Sequence, residues 1–284
     1  MTLTTKAVLT NFHPDYDRVL QLWDRGEDVK HLQADLIAAG ESMVTDGIYG
    51  PHTRHAVMRL QTKHNLVTDG VAGPKVYQAL HPTKSLARLL KHSDLVAAAC
   101  DLGVPLAAIM AVNTVESRGS GFFNNGLPVI LYERHIMYRR LKHHQQNAMR
   151  LAQSHPKLVN RRWGGYSGGP KEHVRLNDAK ELHVAAALES ASWGAFQIMG
   201  FHHQHLGYTD VFEFVDLMHL SEKNQLDAFV RFIKADGRLH TAIKDLDWAT
   251  FARIYNGPAY AKNKYDVKMA EAYGRYVRDA QWTA

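Results

Sequence analysis

Three short stretches at the start of the chain carry apolar residues at helical spacing: Val29, Leu32 and Leu36, then Val57 and Leu60, then Val76, Tyr77 and Leu80. Gln33, Thr53 and Gln61 fall on the same faces. Such periodicity predicts three short amphipathic helices. From residue 95 onward the pattern is again mainly helical. It predicts helices over 95–102, over 105–116 with Pro105 in the first turn, over 178–190, over 220–235 with Leu226, Phe229, Val230 and Ile233 inward, over 248–255 and over 265–282. The stretch 129–138 is predicted to enter a helix at Glu133. Residues 160–169, NRRWGGYSGG, read as a glycine-rich aromatic loop, and 192–200, SWGAFQIMG, as an extended segment or a tight turn. The expected class is all-α, or mainly α with at most a small β-hairpin.

The first three helices are joined by a repeat. Asp46-Gly47-Ile48-Tyr49-Gly50-Pro51 recurs from Asp69 as Asp69-Gly70-Val71-Ala72-Gly73-Pro74, an offset of 23 residues. Glycine supplies turn backbone, and an aspartate can bond the amides that follow it. The predicted organisation is a leader over 1–25 with a short helix near 17–23, a three-helix module over 26–80, a linker over 81–94 with a connecting helix from Ser85 to His92, and a larger helical domain over 95–284. Ser93 or Asp94 is the expected N-cap of the helix that follows.

Composition narrows the partners. The chain has 284 residues, is 45% hydrophobic and carries a formal charge of +6. That surplus favours polyanionic or anionic surfaces, but it is spread along the chain without a long basic run, so nucleic acid is not expected as a partner. No apolar run approaches the ~20 residues of a membrane span, and the N-terminus lacks the apolar core of a secretory signal. The single cysteine, Cys100, sits in an apolar run and is expected to be a small buried hydrophobe; it excludes an internal disulfide. Histidines cluster at His143-His144 and at His202, His203 and His205. With no HExxH and no cysteine pair, no metal site is expected, nor any cofactor.

One segment breaks a local rule. Ile109, Met110, Ala111, Val112 and Val115 form an apolar helix that ends at Glu116, followed by Ser117, Arg118, Gly119, Ser120 and Gly121. A negative charge at a helix C-terminus opposes the helix dipole. A carboxyl group half in a core is also where the charged form is disfavoured. A glycosidase needs such an acid, one that keeps its proton long enough to hand it to a leaving sugar oxygen. The plain alternative is a solvated residue at a helix end.

Two resemblances sharpen this reading. Gly26, Val29, Leu32-Gln33, Leu36, Gly40, Asp46-Gly47, Tyr49-Gly50, Thr53, Ala56-Val57, Leu60-Gln61, Leu66, Asp69-Gly70 and Gly73 together resemble the three-helix peptidoglycan-binding domain of bacteria. That resemblance implies binding of wall peptide or glycan, with Asp46, Tyr49 and Gln61 as the wall-binding choices. Further along, Glu116-Ser117, then Ser192-Trp193-Gly194-Ala195-Phe196-Gln197, then Tyr255-Asn256-Gly257 follow the order of motifs in the lysozyme-like superfamily. The longer pattern, including Gly126, Pro128, Glu133-Arg134-His135, Glu189-Ser190 and Gly257-Pro258, resembles the N-acetylmuramidase domain of bacteriophage endolysins.

The family implies a lysozyme-like fold, a monomer, and Glu116 as general acid on the β-1,4 bond between N-acetylmuramic acid and N-acetylglucosamine. Peptidoglycan is the implied partner, with a weak attraction to an anionic outer-membrane surface. Synthesis in the host cytoplasm would precede action on the periplasmic wall after the membrane is breached. In some relatives an aspartate stands nine residues after the glutamate; here Asn125 takes that place, so the second catalytic group is open among Asn125, Glu133 and Glu189. The plainer reading of Glu133 is an ion pair with Arg134 or Arg139, or an N-terminal helix charge. That of Glu189 is a capping or buried hydrogen-bonding role beside Ser190 and Ser192. Ser192, Gln197, Tyr255 and Asn256 are the implied sugar-binding residues, although Asn256-Gly257 is also a helix C-cap pattern. A lytic transglycosylase and a non-catalytic wall-binding protein remain as alternatives.

Overall fold

The computed structural model describes residues 18–81, 86–117 and 120–282. In chain order the elements are α1 Glu27–Ala38, α2 Pro51–Lys63, α3 Pro74–Leu80, a 3-10 turn Leu86–Arg88, α4 His92–Leu102, α5 Leu106–Glu116, β1 Ile130–Tyr132, α6 Arg134–His143 and α7 Ala148–Ser154. There follow α8 Lys171–Lys180, α9 Val184–Glu189, β2 Ala191–Trp193, β3 Ile198–Met199, a 3-10 turn Gly200–His202, α10 Val211–Leu220, α11 Glu222–Ala235, α12 Gly237–Lys244, α13 Trp248–Asn256, α14 Tyr260–Asn263 and α15 Tyr265–Trp282. The class is mainly α, as the periodicity indicates. No single helix among the described residues is long and apolar enough to cross a membrane.

The chain divides into two compact units, Met1–Ser120 with Arg238–Ala284, and Gly121–Gly237. The segment read as one larger domain thus contributes to both. In the first unit, α2 and α3 each begin with a proline directly after a glycine of the repeat, where the missing N–H costs nothing. Leu32, Leu36, Tyr49, Val57, Leu60 and Val76 close the small core between the three helices. The helix expected near 17–23 does not form over its described part. Leu20 instead exchanges two 2.8 Å backbone hydrogen bonds with Ala72, and the Trp23 and Tyr49 backbones are tied to one another and to Asp24. Residues 1–17 and 82–85 lie outside the described residues, and only a 3-10 turn at Leu86–Arg88 stands where the connecting helix was expected.

Helix α5 is buried on nearly every side from Ala108 to Asn113. It packs along α15 and against α4, and α15 packs against α13. The Thr114 and Tyr276 hydroxyls meet at 2.7 Å where α5 and α15 run together. Helix α4 starts at His92, earlier than expected, so Ser93 and Asp94 lie within it; the Asp94 carboxylate still receives the Lys91 N–H at 2.9 Å. Cys100 corrects the sequence reading: it is exposed. The helix buries Leu95, Ala98, Ala99 and Leu102 on one face, and Cys100 falls on the other.

The second unit is built on an antiparallel sheet in the order β1-β2-β3, with Ile130 opposite Trp193 and Trp193 opposite Ile198. The segment 129–138 therefore holds a strand before its helix. The helix expected over 178–190 is two helices: the first ends at Lys180 with Glu181 as its C-cap, and His183 caps the second, its Nδ1 accepting the Ala186 N–H at 3.1 Å. Buried polar side chains pin this unit together. Glu172, 1% exposed, accepts the N–H groups of Ser167 and Gly168 at 2.5 and 2.8 Å and pairs with Arg175 at 2.6 Å. Gln225 accepts the Ala195 N–H at 2.8 Å and donates to the Met218 carbonyl at 3.0 Å. At Gly194, φ is +72° and a Cβ would stand 2.5 Å from the Gln225 amide carbon, so both its backbone and its neighbour demand glycine.

Candidate active site

Glu116 is the last residue of α5, half-buried, at the end of a helix buried from Ala108 to Asn113. Asn256, the last residue of α13, donates its Nδ2 to both Glu116 carboxylate oxygens at 3.1 Å each. Gly257 ends α13 with φ +74°. Gly257 thus carries the C-cap reading, while Asn256 turns its amide toward the Glu116 carboxyl group. Tyr255 is stacked on Phe251 at 5.9 Å. Burial, and then the charge of Glu116 close by, hold its phenol well above the ordinary range, so it stays a neutral hydroxyl. The unit therefore brings together, from three helix-terminal residues, one carboxyl group, one amide aimed at it and one phenol. Among the described residues the buried Asn256 Oδ1 has no hydrogen-bond partner.

The other expected catalytic and sugar-binding residues lie in the second unit, and most are occupied by its fold. Gln197, with φ +53°, donates to the Gly194 carbonyl at 2.7 Å and to the Val129 carbonyl at 3.3 Å, and accepts the Ser192 hydroxyl at 2.8 Å. This closes the turn between β2 and β3. Asn125 is exposed, and its Oδ1 accepts the Leu127 N–H at 3.1 Å, closing its own turn.

Glu133 stands at the N-terminus of α6. It is not paired to Arg134 or Arg139; both its oxygens accept the Tyr166 hydroxyl, at 3.0 and 2.9 Å, and His135 Nδ1 lies 3.1 Å away. Burial first, and then this carboxylate, push the Tyr166 phenol up to about 12. Glu189, 3% exposed, is held by Arg140 at 2.7 Å and His144 at 2.8 Å. Burial works to raise its carboxyl, but the hydrogen bonds from Arg140 and His144 prevail and hold it below the usual range. A carboxylate kept ionised in this way is a structural anion and a poor proton donor.

In the three-helix module the repeat builds two copies of one device. Gln33 donates to Asp46 at 2.8 Å and to the Ile48 carbonyl at 3.1 Å, and accepts the Gly47 N–H at 2.9 Å. Gln61 donates to Asp69 at 2.7 Å and to the Val71 carbonyl at 3.1 Å, and accepts the Gly70 N–H at 2.9 Å. Tyr49 has no exposed surface, and its hydroxyl donates to the Gly70 carbonyl at 3.0 Å. Tyr49 and Gln61 thus hold the module together, which corrects their reading as wall contacts; Asp46 alone of the three is exposed. The glutamine half of the device was missed in the sequence, although Gln33 and Gln61 each stand on an apolar helix face ahead of an Asp-Gly turn.

Glu172, Glu222 and Gln225, buried polar residues that organise the second unit, were also missed; each lies in or next to a charged stretch and reads as surface. Among the described residues no group of His, Cys, Asp or Glu is placed to hold a metal ion.

Comparison with known proteins finds a match for each part of the chain. Residues 105–277 match the N-acetylmuramidase family, and residues 25–80 match a peptidoglycan binding domain family. Among solved structures, the crystal structure of the Burkholderia AP3 phage endolysin is similar at TM-score 0.87 and 53% sequence identity, covering 92% of this chain and 100% of that one. Comparison with curated protein sequences gives no match.

Proposed function

The chain belongs to the N-acetylmuramidase family, and from that premise we propose that Glu116 is the general acid with which it cuts the β-1,4 bond between N-acetylmuramic acid and N-acetylglucosamine. The protein is a peptidoglycan-degrading enzyme of the phage endolysin kind. The observation that carries the assignment of the acid is the pair of 3.1 Å contacts from Asn256 to Glu116 at the exit of a buried helix.

In this scheme the protonated Glu116 gives its hydrogen to the bridging oxygen as the bond from that oxygen to C1 of the muramic sugar breaks. The departing glucosamine leaves as an alcohol, and positive charge grows on C1. Water then adds to C1, and its proton returns to the Glu116 carboxylate. Asn256 fixes the rotamer of the acid and steadies the carboxylate formed by proton transfer, a hydrogen bond that gains strength as charge appears. Its orphaned Oδ1 would accept a hydroxyl or acetamido N–H of the sugar, and the neutral Tyr255 phenol would add a further polar contact.

A lytic transglycosylase differs only in the group that captures C1, the 6-hydroxyl of the same muramic sugar replacing water. That second reading is favoured by Asn125, whose amide closes a turn and carries no charge to activate water. The module ahead of the catalytic region would hold the chain on its insoluble substrate through the surface around the exposed Asp46 turn. The surplus of +6 would add a weak attraction to anionic envelopes, and the site of action would be the periplasmic wall.

Mass spectrometry of digested, purified wall tests the reaction. Reducing muramic ends are expected; 1,6-anhydro ends would establish the transglycosylase. The Glu116→Gln chain should lose roughly a hundred- to ten-thousandfold in rate while keeping its fold by circular dichroism. Digestion at the wild-type rate would refute the assignment of the acid.

A further inference from the structure

In the second unit, a pocket of about 480 Å³ opens between the start of α6, the end of α7, the loop 160–169 and α8. Its charged lining is Arg134, His155, Lys157, Arg175 and Asp178. The cations there are unequally answered. Arg175 is paired with the buried Glu172 at 2.6 Å. Arg134 is held by backbone carbonyls alone, those of Arg162 and Trp163 at 3.1 Å and of Pro156 at 3.5 Å. No carboxylate lies within ion-pair distance of Arg134 or Lys157 among the described residues.

An arginine carries five N–H donors, so Arg134 is oriented by three bonds and keeps donors to spare. The loop is shaped to leave it there: Gly165, at φ +79°, passes so close that a Cβ would stand 3.1 Å from its Nη1. A guanidinium fixed by neutral groups inside a cavity is a preorganised anion receptor. Asp178 adds an opposite charge at the same rim. It would repel a phosphate dianion, but it matches a ligand that also bears an ammonium. The volume is that of a small-molecule site, far more than one phosphate group fills.

We propose that this pocket binds the peptide stems of peptidoglycan, taking a stem carboxylate on Arg134 and Lys157 and a stem amine on Asp178. The inference rests on the reading of the chain as a wall-degrading enzyme but adds a peptide contact apart from the Glu116 site. It implies that the enzyme reads peptide-bearing strands better than bare glycan.

The test uses the full-length Glu116→Gln chain, so that the ligand persists. It is titrated by calorimetry with a soluble disaccharide-peptide from digested wall, with the same disaccharide lacking its peptide, and with inorganic phosphate. Hydrogen exchange follows residues 154–167. Added Lys157→Glu should weaken the disaccharide-peptide about tenfold and leave the bare disaccharide unchanged. Asp178→Asn should weaken the disaccharide-peptide severalfold. The ligand should slow exchange in 154–167, and millimolar phosphate should not compete.

Unchanged affinity in both variants, or protection confined to the three-helix module, would overturn the proposal. So would phosphate binding that depends on Lys157 without peptide binding; it would assign the pocket to phosphate-bearing envelope lipids. Both charged residues are exposed, so the substitutions should leave folding intact. Failure of the Glu116 assignment would show separately, as wall digestion by the Glu116→Gln chain.

Discussion

Replacing Gln61 by leucine tests whether the repeated turns of the module are a structural device. The leucine keeps the volume and the apolar contact of a side chain that is 3% exposed, and removes only the amide. Three groups then lose a partner: the buried Gly70 N–H at 2.9 Å, the Val71 carbonyl at 3.1 Å and one oxygen of Asp69 at 2.7 Å. A buried polar group left without its hydrogen bond costs about 1–3 kcal/mol. Asp69 keeps its bond from the Val71 N–H at 2.9 Å, which moderates the total to roughly 3–5 kcal/mol. A module of this size holds roughly 3–8 kcal/mol in all, so the loss is comparable with its whole stability.

Hydrogen exchange of the full chain reads the outcome by region. Protection should collapse in α2 and α3 near room temperature, while α5 and α13 keep theirs. Binding to sedimented wall should fall in proportion to the unfolded fraction and return on cooling toward the temperature of maximum stability. A Gln61→Leu module that melts within 1 kcal/mol of wild type would refute the energetics. One that stays folded yet no longer binds wall would refute the reasoning altogether, because Gln61 would then be a ligand contact.

Two further substitutions test the remaining carboxylates. Asn256→Ala removes the amide that donates to both Glu116 oxygens; a hydrogen bond to a charged group is worth about 1.5–3 kcal/mol, so kcat on purified wall should fall roughly ten- to hundredfold with KM little changed, and an unchanged kcat would leave Asn256 no part in the reaction. Glu189→Gln should destabilise the second unit by about 3 kcal/mol yet leave folded enzyme active. Because the Glu189 carboxyl is held below its unfolded value, its stabilisation is present above that unfolded value and disappears as pH falls through the folded one. The wild-type melting temperature should therefore drop more steeply on acidification than that of the variant.

Much of this was legible in the chain. Glu116, Tyr255 and Asn256 stand at helix ends that the 3.6-residue pattern and the glycines delimit, so their placement followed once the helices were seen. The Asp-Gly repeat likewise announced three short helices. Other features had no local signal. The strand Ile130–Tyr132 is three residues long, too short for an alternation to register, and it exists because β2 supplies its partners. The break between α8 and α9 contains neither glycine nor proline; a histidine serves as the N-cap beyond it. Cys100 looked buried because its neighbours are apolar, and only the helix phase turns it outward. Glu172 and Glu222 carry the charge of surface residues, and each accepts a backbone N–H from far along the chain, that of Tyr132 for Glu172 and that of Gly121 for Glu222, which no local pattern encodes.

The same amide chemistry explains why these sites resisted assignment from sequence. Gln33, Gln61, Gln197 and Gln225 all use their side chains on backbone carbonyls or N–H groups, closing turns that would otherwise leave buried polar groups unpaired. In a linear sequence each could equally have been a sugar-binding amide, and two of the four were read that way. Asn256 is spent differently. Its donors go to a carboxyl group, and its Oδ1 has no hydrogen-bond partner among the described residues. A side chain that satisfies backbone is explained by the fold it closes. One whose donors meet a carboxyl group on another helix closes no turn, and this separates Asn256 from the other amides.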